Sequence, residues 1–183
     1  MPNPSVSFPA RPARFLAGLV ALLVLGSCGG GGGGAGSVSA ADAQLQASGR
    51  QIFRFDTFGD EAQWTDTLRM HEVIETGVSP STALSVGLKV DAEALPQALV
   101  DALKAGKVDL NSPATTVALI KLDAVVGVKG EVESVNGVDR LRKVGITCAL
   151  CHSTVDDSFA KGIGKRLDGW PNRDLNPGAI IAL

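Results

Sequence analysis

The chain has 183 residues, of which 45% are hydrophobic, enough to bury the core of one domain but hardly of two. Its 17 basic and 19 acidic residues give a formal net charge of −2. This balance offers no basic surface for nucleic acid, so nucleic-acid binding is not expected.

The first 27 residues have the pattern of a secretory signal peptide. Arg11 and Arg14 form a basic segment, and residues 15–25 that follow carry no polar side chain. This apolar run is too short for a lasting transmembrane helix, which needs about 20 residues. We therefore predict a signal peptide over 1–27 and an exported, periplasmic protein.

Cys28 follows the small residues Gly26 and Ser27, a pattern similar to the lipobox in which the cysteine of a bacterial lipoprotein receives its lipid. The alternative is an ordinary cleavage site nearby, with Cys28 lost or free. The run 29–34 consists of glycine only, so residues 28–44 are predicted to be a disordered tether. Lipidation at Cys28 would make the protein a membrane-anchored lipoprotein.

Beyond the tether, apolar spacing and capping residues predict mostly helices. A short helix is expected within 44–55, and Asp60 as N-cap with Gly77 as terminator predicts a helix over 61–76. On that helix His71 would lie near the face of Trp64 and Leu68, with Met70 about 100° away. Further helices are predicted over 96–105 and 113–122, each opened by a proline.

Two β elements are predicted in the same region. Leu84, Val86, Leu88 and Val90 alternate with other residues like a short strand. Residues 125–135 and 138–146 are apolar runs joined by Asn136-Gly137, which favours the positive φ angles of a type I′ turn. We therefore predict a β-hairpin, with its charged residues on the solvated face.

The hairpin leads into Cys148-Ala149-Leu150-Cys151-His152, a C-x-x-C-H motif. In this pattern each thiol can add across one vinyl group of haem, and the adjacent imidazole is the proximal iron ligand. The motif predicts one covalently attached haem c held by Cys148, Cys151 and His152. With Cys28 assigned to lipid, no cysteine is left for a disulfide.

Three other interpretations of the cysteine pair remain open. A thioredoxin-like redox pair would follow a strand and begin a long helix in a βαβ unit. A zinc site could combine Cys148, Cys151, His71 and His152, although adjacent Cys151 and His152 would strain one tetrahedron. The third interpretation is a structural disulfide between the two thiols.

The motif and the later segment Gly162-Ile163-Gly164-Lys165-Arg166-Leu167 resemble the c-type cytochrome superfamily. More broadly, residues 145–172, and less surely 52–61, are similar to exported bacterial single-haem cytochrome-domain proteins. The resemblance implies that the carbonyl of Ile163 accepts the Nδ1 proton of His152. Arg166, Arg173 and Trp170 are candidates for contacts with the haem propionates, since charge-assisted bonds would help hold those carboxylates. Surface solvation and core packing explain these three residues equally well.

The chain departs from this family after His152, where no methionine or histidine follows. Such cytochromes take a distal methionine from a later segment, so we expect a C-terminally truncated cytochrome c domain. Met70 and His71 are the alternative candidates for the distal iron ligand. The competing interpretations are that Met70 fills a gap in the core and that His71 is a half-buried, hydrogen-bonded side chain. The fold is expected to be mainly α with a short β-hairpin and a disordered N-terminal part. The predicted segments are a signal peptide (1–27), a tether (28–44), a helical region with the hairpin (45–143) and a haem attachment segment (144–183).

These features predict an electron-transfer protein of the bacterial cell envelope, an electron carrier rather than an enzyme. Its expected partners are redox proteins of the envelope and, through the lipid anchor, the membrane. Two alternatives remain. One is a haem-based peroxidase or small-ligand sensor with an open sixth coordination site. The other is a non-haem metal or redox protein that uses the cysteine pair.

Overall fold

The computed structural model describes residues 39–183, so the predicted signal peptide, Cys28 and most of the tether lie outside the described residues. Within this range the helices are α1 (Ala40–Phe55), α2 (Met70–Gly77), α3 (Pro80–Ser85), α4 (Gln97–Lys104), α5 (Pro113–Lys121), α6 (Ala149–His152) and α7 (Pro177–Ile181). The strands are β1 (Val90–Asp91), β2 (Val128–Val135), β3 (Val138–Ile146), β4 (Ser153–Val155), β5 (Ile163–Gly164) and β6 (Arg166–Asp168). None of the described helices is both long and apolar enough to span a bilayer.

Helix α1 begins earlier than the sequence pattern predicts. The side-chain oxygen of Ser39 accepts a hydrogen bond from the Asp42 amide, which is the N-cap interaction of a helix start. Residues 40–44, predicted to belong to the tether, are therefore helical. No residue of α1 is buried, but Phe53 near its C-terminal end packs against the small buried cluster of Val126, Ala149 and Val155.

The single helix predicted over 61–76 is wrong, because the chain forms two helical segments. A π-helical turn over Gln63–Thr67 precedes α2, and Arg69 between them has a left-handed φ of 53°. A tertiary contact stabilises the first segment, since the Val144 amide of β3 donates to the hydroxyl of buried Thr65 at 3.1 Å. The break changes the helical phase, so the predicted shared face of Trp64 and His71 is not formed.

The predicted strand over 84–90 is also wrong for most of its length. Ser79 caps α3 by accepting from the Thr82 amide, and Pro80 occupies the first helical turn, so residues 80–85 are helical. Only β1 remains extended, and it pairs in parallel with β5. The two later helices are confirmed as α4 and α5, within one or two residues of their predicted bounds.

The predicted β-hairpin is confirmed. Strands β2 and β3 pair antiparallel, and Asn136 and Gly137 between them have φ angles of 53° and 79°. The register shifts after Glu131, where Arg142 is the extra residue of a bulge. The charged side chains of the hairpin form exposed ion pairs such as Arg142 with Glu133 at 2.8 Å, consistent with a solvated face.

Residues 39–183 form one compact unit that mixes helices with three two-stranded sheets. The predicted mainly α class is therefore confirmed only in part. The main core lies between α5, the hairpin and β1, and its buried members are Val90, Leu95, Leu119, Ile120, Ala124, Val125, Leu141, Val144 and Ile163. Strand β3 leaves this core at Ile146, two residues before the cysteine motif.

Candidate functional site

The cysteine motif forms a single helical turn. Cys148 is the N-cap residue of α6, and Cys151 and His152 complete the turn. Residues three and four positions apart lie on the same side of a helix, so both thiols and the imidazole share one side of α6. Both cysteines are free; Cys148 is half-buried, whereas Cys151 and His152 are exposed. The arrangement leaves two neighbouring thiols available for covalent chemistry.

The N-terminal side of this turn is held by the segment that follows α1. The hydroxyl of Thr147 donates to the carbonyl of Arg54 at 3.2 Å and accepts from the Ala149 amide at 3.3 Å. Thr147 also forms a β-bridge with Thr57. Residues of the segments 52–61 and 145–172 are thus in direct contact.

A glycine allows the motif to approach the hairpin closely. Gly127 has a φ of 80°, and a Cβ atom there would lie 2.2 Å from both the Cα and the nitrogen of Leu150. The carbonyl of Gly127 also accepts from the Thr147 amide at 3.0 Å. Any side chain at position 127 would therefore displace the motif turn.

The C-terminal side of α6 is capped by the loop over residues 169–172. The Gly169 amide donates to the carbonyl of His152 at 2.8 Å, and the Asn172 amide donates to the carbonyl of Cys151 at 2.9 Å. These bonds satisfy carbonyl groups that the end of a helix leaves unpaired. The buried ammonium of Lys89 forms an ion pair with Asp174, two residues beyond this loop, and attaches that part of the chain to the segment between α3 and β1.

An apolar cavity of about 230 Å³ lies next to the motif. Cys151 and Leu150 of the motif contribute to its wall, as does Met70 of α2, whereas His71 and His152 do not. The remaining lining residues are Trp64, Ile74, Val78, Ala83, Leu88, Thr116, Ile120, Val125, Val128, Val144, Ile146, Leu175, Pro177, Ile180, Ile181 and Leu183. Because Cys151, Ile181 and Leu183 are exposed, the cavity reaches the surface beside the motif.

Polar groups in the cavity wall are few. The indole nitrogen of Trp64 donates to Asp60 at 2.6 Å and is therefore already paired. The hydroxyl of Thr116, a residue only 4% exposed, is buried without a hydrogen-bond partner. An unpaired buried hydroxyl costs about 1–3 kcal/mol, so the wall carries one polar group whose burial is not compensated.

A charged cluster beneath the motif joins α1 to β6. Asp168 accepts hydrogen bonds from Arg54 at 2.7 Å, Ser153 at 2.9 Å and Arg166 at 2.9 Å. Burial alone would raise the pKa of Asp168, but the bonds from Arg54 and Ser153 and the charges of Arg166 and Arg54 lower it overall. Burial raises the pKa of nearby Asp91 and lowers that of Arg166. Because Ser153 begins β4 and bonds to Asp168 of β6, the cluster holds β4, the strand that follows the motif, in place.

Two expectations about the surroundings of the predicted haem are not met. The side chain of Arg166 is 2% exposed and paired with Asp168, so it is not available to a propionate, whereas Trp170 and Arg173 are exposed. The carbonyl of Ile163 accepts from the amides of Phe159 and Ala160, each at 3.1 Å. Among the described residues nothing forms a hydrogen bond with the imidazole of His152, so the bond expected from Ile163 is absent.

The structure also bears on the other interpretations of the cysteine pair. In residues 39–183 no group of three or more His, Cys, Asp or Glu side chains is arranged to hold a metal ion, so the four-ligand zinc set is not brought together. The helix after Cys148 has four residues, and the strands on either side belong to two different antiparallel sheets, β3 with β2 and β4 with β6, unlike a thioredoxin βαβ unit. Both thiols are free rather than joined.

Sequence reasoning missed Thr116 and Gly127, which have no motif around them. Thr116 lies in an apolar helix and Gly127 in an apolar run, and neither pattern indicates a site. Of Met70 and His71, the two candidates for the distal iron ligand, Met70 lies in the cavity wall and His71 does not.

The chain matches no protein-family model, and no curated protein or solved structure is significantly similar to it.

Proposed function

We propose that this chain binds one haem c covalently through Cys148 and Cys151, with His152 as an iron ligand, and transfers electrons. The observation that carries the proposal is that Cys151 belongs both to the C-x-x-C-H turn and to the wall of an apolar cavity. A haem attached there would supply one-electron chemistry between ferrous and ferric iron. The free state of both thiols is the state that attachment requires.

The site fits such a group in part, since Cys151 lies in the cavity wall whereas Cys148 and His152 do not line it. Apolar walls keep water away from a bound tetrapyrrole, and burial is one of the factors that set a reduction potential. The wall also contains the hydroxyl of Thr116, which is buried without a hydrogen-bond partner. Bonds from Gly169 and Asn172 hold the backbone of Cys151 and His152, so the attachment point is fixed before anything binds.

The cellular setting forms part of the proposal. Export by the segment 1–27 would deliver the chain to the periplasm, and a lipid on Cys28 would keep it at the membrane. Redox proteins of the envelope are the expected partners. The exposed positions of Cys151 and His152 support this role, because a carrier needs a short path between its cofactor and a partner's surface.

The deciding experiment is coexpression with a haem attachment system, followed by acid-acetone extraction and a pyridine haemochrome spectrum. We expect about one haem per chain to remain with the wild-type protein. Cys148→Ser/Cys151→Ser should release all colour into the acetone. Cys28→Ser is the matched control, since it removes a thiol without touching the motif and should keep the haem while losing the lipid. Complete extraction of haem from the wild-type protein would refute the proposal.

A further inference from the structure

Helix α1 has an apolar side that the rest of residues 39–183 leaves largely uncovered. No residue of this helix is buried, and the side chains of Leu45 and Ile52 are 71% and 57% exposed. Seven residues make almost two helical turns, so Leu45 and Ile52 lie on the same side of α1, together with the small residues Ala41 and Ser48. We infer that this side of α1 lies on the surface of the membrane that holds the lipid anchor.

The contacts of the last turn of α1 leave that side free. Phe53 packs against the small buried cluster, and Arg54 forms an ion pair with a carboxylate of β6 at 2.6 Å. Successive residues are about 100° apart around a helix, so Phe53 and Arg54 lie about 100° and 160° from Ile52. Phe55 ends the helix beneath the ammonium of Lys129. The three turns before it can therefore rest on a flat surface while these contacts stay in place.

The opposite side of α1 is polar. Arg50 is exposed and lies about 160° around the helix from Ile52, and Gln46 is exposed on the same polar side. A helix with apolar residues on one side and polar residues on the other can bury its apolar side at the boundary between lipid headgroups and acyl chains. The polar side would then stay in water.

The predicted lipid on Cys28 favours the membrane over other partners for this side. Cys28 is eleven positions before Ser39, the N-cap residue of α1. Even a fully extended chain of eleven residues spans no more than about 40 Å. The lipid would therefore keep the start of α1 near the bilayer, where a second and weaker contact forms at high effective concentration. A second copy of the chain or a soluble partner would lack this advantage.

The orientation of α1 would also set the position of the cysteine motif. The end of the helix is joined to the residue before the motif, because the carbonyl of Arg54 accepts from the hydroxyl of Thr147 at 3.2 Å. A helix docked on the membrane would therefore hold the motif at a fixed distance from the lipid surface.

This inference rests on the proposed function, and thiol labelling tests it. With lipid on Cys28 and haem on Cys148 and Cys151, the wild type would have no free thiol. Leu45→Cys adds one thiol on the apolar side of α1. Ala47→Cys is the matched control, because Ala47 is also exposed but lies about 160° around the helix from Leu45. The haem-loaded, lipidated variants are placed in vesicles of phosphatidylethanolamine and phosphatidylglycerol and treated with a water-soluble maleimide.

On vesicles we expect Leu45→Cys to react at least about tenfold more slowly than Ala47→Cys, because its thiol lies among the headgroups. In detergent and urea, where α1 is unfolded, the two rates should become equal. Equal rates on vesicles would overturn the docking of α1. A difference that disappears as the number of chains per vesicle is reduced would overturn it as well, because it indicates contact with a second copy.

Mass spectrometry of the wild type separates this inference from the proposed function. Absence of lipid on Cys28 overturns the docking of α1 and the proposed membrane anchor together. Lipid on Cys28 with maleimide on Cys148 or Cys151 overturns haem attachment alone. The labelling rates at positions 45 and 47, measured on their own peptides, still decide the docking of α1 in that case.

Discussion

Gly127→Ala tests whether the close contact between the hairpin and the cysteine motif controls the site. A residue other than glycine at a φ of 80° costs about 1–2 kcal/mol. The added methyl carbon would also lie 2.2 Å from the Cα of Leu150, whereas carbon atoms prefer separations of about 3.5–4.0 Å. The motif must therefore move by more than about 1 Å, and such overpacking costs about 1–3 kcal/mol.

The expected loss of stability for Gly127→Ala is therefore about 2–5 kcal/mol, a large part of the roughly 5–15 kcal/mol typical of a domain. Gly137→Ala is the matched control, because Gly137 has a φ of 79° but no atom lies within 4 Å of the position that its methyl carbon would take. It should lose only the backbone part, about 1–2 kcal/mol.

Urea unfolding followed by circular dichroism measures both losses in a Cys148→Ser/Cys151→Ser background, where haem cannot contribute. Covalent haem per folded chain is then measured with both cysteines present, and it should fall in Gly127→Ala but not in Gly137→Ala. Equal losses of stability and equal haem contents in the two variants would refute the steric contact as the cause.

Three further substitutions probe polar groups that are buried or half-buried. Asp168→Asn removes the charge that compensates Arg54 and Arg166, so we expect a loss of about 3–5 kcal/mol at neutral pH in urea unfolding. Because folding lowers the pKa of Asp168 from 3.8, its contribution is present above that pH and is lost as the pH falls below it; a wild type and Asp168→Asn with parallel acid profiles would contradict this. Thr116→Val removes the unpaired hydroxyl and should stabilise the haem-free protein by about 1 kcal/mol, whereas Thr65→Val, which breaks a formed bond to Val144, should destabilise it. A destabilised Thr116→Val protein would show that the hydroxyl is paired after all.

The parts of the fold that could be predicted from sequence are those set by local chemistry. Asn136 and Gly137 form the tight turn of the hairpin because both residues readily adopt positive φ angles. Pro113 begins a helix because its ring fixes φ near the helical value. The cysteine motif is equally local, since its five residues form one turn. Each of these features depends on neighbours only a few positions away.

The failures have tertiary causes. Residues 61–76 have helical spacing, but the bond between Thr65 and Val144 joins positions 79 residues apart and accompanies a π-helical turn that spacing does not reveal. The cavity is a further case, because Met70, Thr116 and Cys151 come from three separate helices. The sequence of each helix taken alone does not indicate that these three residues line the same cavity.

The long sequence separations at the motif have a consequence for folding kinetics. Thr147 bonds to Arg54 across 93 residues, and Lys89 bonds to Asp174 across 85. Such distant pairings form slowly, because closing a large loop lowers the conformational entropy of the chain before any stabilising contact has formed. We expect the hairpin to form in microseconds and the surroundings of Cys148 and Cys151 to be completed late. An enzyme acting on the nascent chain would therefore have an interval in which both sulfur atoms are reachable.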